Sequence, residues 1–356
     1  MRNGPATWAN RVRGLVLGLM LGDAVGSGGI PPSGPIRVGV TTQLAAFTIE
    51  GVIRAAVRLA HRGICHPPSV VWHAYCRWGV LQGVGVHEAH RHWAEGRERW
   101  PDGWLAAVPQ LRERRGSAPA TVAALRQPQQ PTADRPVTSS RGCHALTRSL
   151  PLAALAEGTP ADRLADLARD VAALTHGDPQ AHRATAAAVL LLGRCLAVGS
   201  FDEAVASQPH LPDLAEFDAR IREAFDEARL SPMRPDRLAH LAPDATAPSA
   251  LLGGVYVTAS NRLSRASAVT SREAMDALTF AATAPDGDSV AAVTGALLGA
   301  LHGVDIWPVE LLSRLELVWV MDTLARDLVL QLTESPGGGE YEPPKDPYWW
   351  DRYPGW

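Results

Sequence analysis

The chain has 356 residues, 46% of them hydrophobic, with a formal net charge of -3 and a pI near 6.5. Lys345, in a Pro-rich tail, is the only lysine among 34 basic side chains, which excludes a P-loop, a Schiff base or a Ser/Lys dyad in the folded body. The charge balance argues against a nucleic-acid or membrane-surface binder, and four scattered cysteines without a CxxC pair point to a reduced, cytoplasmic protein.

Arg2, Arg11 and Arg13 precede the apolar run Leu15 to Leu21, the layout of a signal peptide. Gly18 interrupts that run and Asp23 follows it, far short of a membrane span of about 20 residues, so it reads as a buried first helix over 12–24. Helices follow over 42–61, 68–82 and 145–156. Leu164, Leu167, Val171 and Leu174 then step by three and four, as one helical stripe does. Further helices are expected over 181–197, 214–227, 249–262, 271–282 and 289–303, and a last stripe runs through Leu317, Met321, Leu324 and Leu328. No segment reads as a strand, so the fold class is all-α. Gly/Pro-rich connectors cover 26–39, 127–143, 231–248 and 335–356, and the first two are long or irregular enough to carry function. This gives one domain over 1–334 and a tail over 335–356, whose Trp349, Trp350 and Trp356 are expected to fold back over the body.

Gly14, Gly18 and Gly22 recur every four residues, as do Gly295, Gly299 and Gly303. Each glycine inside a helix costs roughly 1 kcal/mol relative to alanine, and close approach of the two helices is the simplest compensation. Their packing would bring Asp23 into the same region as Asp286 and Asp288. Asp286-Gly287-Asp288-Ser289 gathers two carboxylates and a hydroxyl at a helix start, which suits a hard cation or an ordinary cap. The His87-Glu88-Ala89-His90 segment lacks the zinc-protease spacing, and no GxSxG elbow occurs.

Five separated motifs occur in order: Gly22-Asp23-Ala24-Val25-Gly26, Thr42-Gln43-Leu44, Gly142-Cys143-His144-Ala145-Leu146-Thr147-Arg148, Thr175-His176-Gly177-Asp178-Pro179, and the helix from Asp286 to Gly303. Together, over about residues 12 to 308, they resemble the ADP-ribosylglycohydrolase family. The resemblance implies an orthogonal all-α bundle with a central cleft, Mg²⁺ beside an ADP-ribosyl group, and hydrolysis of the bond joining ADP-ribose to an acceptor. It implies metal ligation by Thr42, Asp286, Asp288 and Ser289, and ligand binding by Ser139, Ser140, Arg141, Gly142, Cys143, His144 and His176. Arg141 stands where the family usually has asparagine and could pair with phosphate.

The N-terminal metal motif departs from the family pattern, because Val40 and Thr41 occupy the two usual aspartate positions. At most one weakly held ion is therefore expected, since two adjacent cations need several carboxylates. Asp23, Asp288 and Glu50 are the candidates for acid/base work. The partner implied is ADP-ribose or an ADP-ribosylated substrate, with a catalytically silent nucleotide-binding module as the alternative.

Overall fold

The computed structural model describes residues 6–94, 100–261 and 269–355. Arg2, position 262 and Trp356, which enter the sequence reading, lie outside the described residues. Ten helices of eleven residues or more are found among them: α1 (Trp8–Gly28), α2 (Val40–Arg62), α3 (Pro67–Leu81), α4 (Ala161–Ala173), α5 (Pro179–Val198), α6 (Ala215–Leu230), α7 (Ala247–Ser260), α8 (Ser271–Ala281), α9 (Gly287–His302) and α10 (Val318–Glu334). The only β-type pairings among the described residues are two isolated bridges, Ile36 with Leu315 and Gly142 with Thr246. The fold is all-α, as the periodicities predict.

Local signals set most helix ends. Thr7 caps α1 by accepting from the Asn10 amide, and Asp178 caps α5 ahead of Pro179, whose missing N–H costs nothing at a first turn. Thr270 and Glu273 form a reciprocal capping box on α8, while Gly63 and Gly199 end α2 and α5 in the left-handed conformation.

The centre is the antiparallel pair α1 and α9, with α10 and α2 against α1 and with α7 and α8 against α9. A Cβ on Gly14 would overlap the Gly299 carbonyl oxygen, one on Gly18 that of Gly295, and one on Gly22 that of Ala291. The two glycine rows are thus the contact surface. The apolar run Leu15 to Leu21 is buried within α1. Among the described residues one helix, Pro179–Val198, is long and apolar enough to cross a membrane, but 78% of its apolar stretch is buried inside the protein.

Three segments differ from the sequence reading. The helix expected over 145–156 is a short turn, His144–Thr147, followed by a 3₁₀ segment, Leu150–Glu157. Pro151 is the cause, because it lacks an N–H and disfavours α geometry at the residue before it. The connector at 231–248 contains the helix Pro235–Leu241, opened by proline at its first position. The stripe through Leu164, Leu167, Val171 and Leu174 ends one residue early, because α4 stops at Ala173, and the chain then runs close to the 138–143 loop, where a side chain on Gly177 would overlap the Thr138 carbonyl oxygen.

The tail packs on the body. Trp349 is 2% exposed and donates to Gln331 Oε1 at 2.8 Å, while the fully buried Tyr353 donates its hydroxyl to Asp327 Oδ2 at 2.7 Å. The Glu340 amide bonds to the Ala60 carbonyl, which ties the tail to the end of α2 as well.

Candidate functional site

The α1–α9 contact delivers the last turns of α1 to the start of α9, where a Cβ on Gly26 would strike the Asp288 backbone. Asp23 and Asp288 therefore share one region, as the glycine spacing implies. Asp23 is fully buried. Its Oδ2 accepts from the Gly39 amide at 2.8 Å, the Thr42 amide at 3.1 Å and the Thr42 hydroxyl at 2.5 Å. Gly39 is the N-cap residue of α2 and has no side chain to offer. Asp23 therefore caps α2 from a different helix, supplying the acceptor that the free first-turn amides require. Burial raises its carboxyl to about 6, with Asp288 adding to the rise and the Thr42 and Gly39 hydrogen bonds opposing it.

Asp286 stands at the N-cap of α9 but makes no side-chain cap bond; the Ser289 amide donates instead to Asp288 Oδ1 at 3.0 Å. Burial and then the Asp288 charge raise the Asp286 carboxyl to about 6, and Ser289 and Cys143 pull the other way. Asp23 Oδ1, Asp286 Oδ2 and Ser289 Oγ are buried oxygens without hydrogen-bond geometry to any partner.

Those orphaned oxygens are the observation on which a metal must be judged. Among the described residues, no three of His, Cys, Asp and Glu are grouped closely enough to hold an ion. Thr42 spends its hydroxyl on Asp23. Thr41 lies against Thr147, the two hydroxyl oxygens 3.4 Å apart, and Val40 is apolar and buried. This donor set does not fit a two-cation centre, whose mutual repulsion several carboxylates must offset.

The 138–143 loop is stitched to two neighbours. On one side Gly142 bridges Thr246, the Cys143 amide donates to the Ala245 carbonyl at 3.2 Å, and the Ala247 amide to the Arg141 carbonyl at 2.9 Å. On the other, the Asp178 amide donates to the Ser140 carbonyl at 3.2 Å and the Thr138 hydroxyl to the Thr175 carbonyl at 2.9 Å. The Gly142 amide donates to Ser140 Oγ at 3.2 Å, and a Cβ on Gly142 would lie 3.3 Å from His176 Nε2. Ser139 and Arg141 are exposed, Ser140, Gly142 and His144 half-buried, and Cys143 and His176 buried. The Cys143 thiol lies close enough to Asp286 and Ser289 to affect the Asp286 carboxyl, so the loop and the acidic turn of α9 share one wall.

Both histidines are poor bases here. Burial brings His144 down to about 4 against the pull of Asp288, and burial followed by the Arg148 charge holds His176 well below the usual range. The His176 Nδ1 is 2.7 Å from the Thr175 hydroxyl. Burial also pushes the Cys143 thiol up, away from nucleophilic use.

Two expected residues are engaged elsewhere. Arg141 pairs with Asp244 at 3.4 Å and borders a cavity of 460 Å³ with Gln180, Arg220, His240 and Ser249. Glu50 is fully buried, 2.7 Å from Arg54 and 2.6 Å from Arg77, and both arginines also reach Asp102. It lies two turns beyond Thr42 on α2, about 12 Å along the axis. Each of its oxygens faces a guanidinium, so it holds structure and is not free for proton transfer. The part played by residues 244–247 in clamping the loop has no local signal in the sequence.

The sequence matches the ADP-ribosylglycohydrolase family over residues 4–337. A solved structure described as an ADP-ribosylglycohydrolase-related protein complex is similar in fold, at 21% identity and a TM-score of 0.52, covering 90% of this chain and 97% of that one. Comparison with curated proteins gives no significant match.

Proposed function

The chain belongs to the ADP-ribosylglycohydrolase family, and from that premise we propose that it binds ADP-ribose, or the ADP-ribosyl group of a modified substrate, between the Asp286–Ser289 turn and the 138–143 loop. The observation that carries this reading is the shared wall: Gly142 stands against His176 while its neighbour Cys143 stands against Asp286. The loop offers the exposed Ser139 backbone and hydroxyl and the Ser140 hydroxyl to a diphosphate, while the Gly142 amide holds Ser140 Oγ in place. Arg141 can exchange its exposed partner Asp244 for phosphate at little cost, because surface ion pairs are weak.

Hydrolysis of a glycosidic bond needs one group to protonate the departing acceptor and a second to assist water at the sugar carbon. Asp286, with its carboxyl raised to about 6 and one oxygen unpartnered, suits the first task, and Asp288 beside it the second. Asp23 braces the site by holding the start of α2. Asp286, Asp288 and Ser289 would hold one Mg²⁺ ion at most, weakly, and the proton transfers assigned here rest on the chain's own side chains.

Calorimetric titration with ADP-ribose, with and without Mg²⁺, tests the binding. Release of ADP-ribose from modified arginine and serine peptides tests the chemistry, with Asp288→Ala as the control expected to lose turnover. Binding without turnover supports the second reading, a silent binding module, which is favoured by the commitment of Asp23 to α2 and by Val40 and Thr41 in place of carboxylates. Absence of ADP-ribose binding would defeat both readings.

A further inference from the structure

Among the described residues, three arginines are buried to 2% exposure or less: Arg54, Arg77 and Arg148. The first two share Glu50 and Asp102, so their charges are balanced within one cluster. Arg148 is different. Among the described residues it makes no ion pair: Nη1 donates to the Thr121 hydroxyl at 3.3 Å, Nη2 donates to the Val171 carbonyl at 3.0 Å, and the guanidinium lies 4.3 Å from the centre of the Tyr75 ring. Its Nε is buried without a partner. All of these neighbours are neutral acceptors or a π-face, which orient a cation but do not cancel it. An unpaired charge in a protein interior is unfavourable unless something else compensates it.

The place of Arg148 says what that could be. It directly follows the short helix His144–Thr147, and its Val171 bond ties it to the last turn of α4, the turn that leads into Thr175 and His176. The guanidinium is therefore anchored beside the segment that carries His176, and its charge acts on both His144 and His176. His176 is buried, and the charges of Arg148, His144 and His182 act on it together with burial to hold it neutral. The acidic groups Asp23, Asp286 and Asp288 belong to the α1–α9 side of the site, where Asp288 acts on His144 and Asp286 on Cys143, whereas Arg148 is the charge acting on His176 from the α4 side.

We infer that Arg148 is a positioning residue whose uncompensated buried charge biases the wall formed by Gly142 and His176 toward the diphosphate of a nucleotide ligand, which supplies the missing negative charge on binding. The inference rests on the ligand-binding reading above and adds to it the source of anion preference. Arg148 does not touch the ligand. It acts through the field it sets up across the neutral imidazoles, whose ring nitrogens stay available as hydrogen-bonding groups without adding charge of their own.

The test compares ADP-ribose with adenosine, which lacks the diphosphate, by calorimetry on the full-length wild type, Arg148→Lys and Arg148→Met. The wild type should prefer ADP-ribose. Arg148→Met should lose about tenfold in ADP-ribose affinity, the order expected for one charge acting over roughly 10 Å at an effective dielectric near 20, with adenosine affinity unchanged. Arg148→Lys should restore most of the preference. In the ligand-free protein, the NMR titration of the His176 ring should move to higher pH in Arg148→Met and stay near the wild-type position in Arg148→Lys, a response that a packing role alone would not produce. A folded Arg148→Met that keeps the wild-type ratio of the two affinities, or an unmoved His176 titration, overturns the inference while leaving the binding reading intact. A wild type that binds neither ligand overturns both. If methionine prevents folding, Arg148→Gln, which can still donate to Val171, carries the same comparison.

Discussion

Gly22 of α1 and Ala291 of α9 are in backbone contact: a single added methyl group at residue 22 would overlap the Ala291 carbonyl oxygen. Gly18 stands in the same relation to Gly295, with the Trp307 ring closing the remaining side. Backbone on both sides leaves no flexible neighbour to move aside, so accommodating a Cβ means separating the two central helices. Gly18→Ala and Gly22→Ala are each expected to destabilise the protein by about 1 to 3 kcal/mol, read as a lower midpoint in urea unfolding. Gly28→Ala is the control, because nothing lies within 4 Å of that position and its backbone is helical. It should be neutral or mildly stabilising through helix propensity. Equal effects at residues 22 and 28 would show that the α1 and α9 backbones are not in contact at Gly22.

Asp23 gives a pH dependence whose sign is fixed by the direction of its shift. Its carboxyl titrates near 6 in the folded protein against 3.8 ordinarily, so the fold binds the proton more tightly than the unfolded chain does. The stability this contributes is fully present below about pH 4 and is lost as pH rises through 6. Asp23→Asn keeps a carbonyl oxygen to accept from Gly39 and Thr42 but never ionises. The difference in unfolding free energy between Asp23→Asn and wild type should therefore be near zero at pH 4 and grow in favour of the variant to about 3 kcal/mol by pH 7.5, measured with a chelator present. A difference that stays flat over this range, or one that favours wild type at pH 7.5, would contradict the assignment.

Glu50 illustrates the opposite balance, since two guanidinium groups hold it and it holds them. Glu50→Gln removes the charge that offsets Arg54 and Arg77 but leaves Asp102 to compensate both. Breaking a buried pair in this way typically costs about 3 to 5 kcal/mol. The variant should unfold at a clearly lower denaturant concentration, yet at a temperature where it remains folded its affinity for ADP-ribose should equal that of wild type. A selective loss of binding or turnover in a stably folded Glu50→Gln would return Glu50 to the active site.

The sequence exposes the relationships whose signal is periodic and hides those made by single contacts. Glycines at intervals of four mark one smooth face on each of two helices, and from them the pairing of α1 with α9 and the meeting of Asp23 with Asp288 both follow. The Asp178-Pro179 start of α5 is equally visible, because cap and first-turn proline are adjacent. The capping of α2 by Asp23 is not, since its partners at Gly39 and Thr42 are 16 and 19 residues away and nothing local announces the bond. Glu50 shows the same limit. Its Arg54 partner is visible at helical spacing, but Arg77 and Asp102 come from other elements, and only their presence turns a candidate acid into a structural one. Arg141 has the right charge for phosphate, but its pairing with Asp244 depends on residues 244–247 folding against the loop, a contact spanning about a hundred residues.

The aromatic tail should behave as part of the folded body. Trp349 is inserted against Gln331, and Tyr353 reaches Asp327 on the same helix, where Arg352 also donates to Asp327 Oδ2 at 2.8 Å. Tyr353→Phe keeps the ring and removes one donor to an aspartate that retains Arg352, so the expected loss is about 1 to 2 kcal/mol. Trp349→Ala removes a nearly fully buried indole and leaves Gln331 Oε1 without its donor, an expected loss of about 3 to 5 kcal/mol. Because the tail lies on α2 and α10 while the Asp286 turn and the 138–143 loop lie elsewhere, neither substitution should alter ADP-ribose affinity in the folded protein. Urea unfolding followed by tryptophan fluorescence would measure both losses. A Trp349→Ala protein as stable as wild type would place the tail outside the cooperative fold.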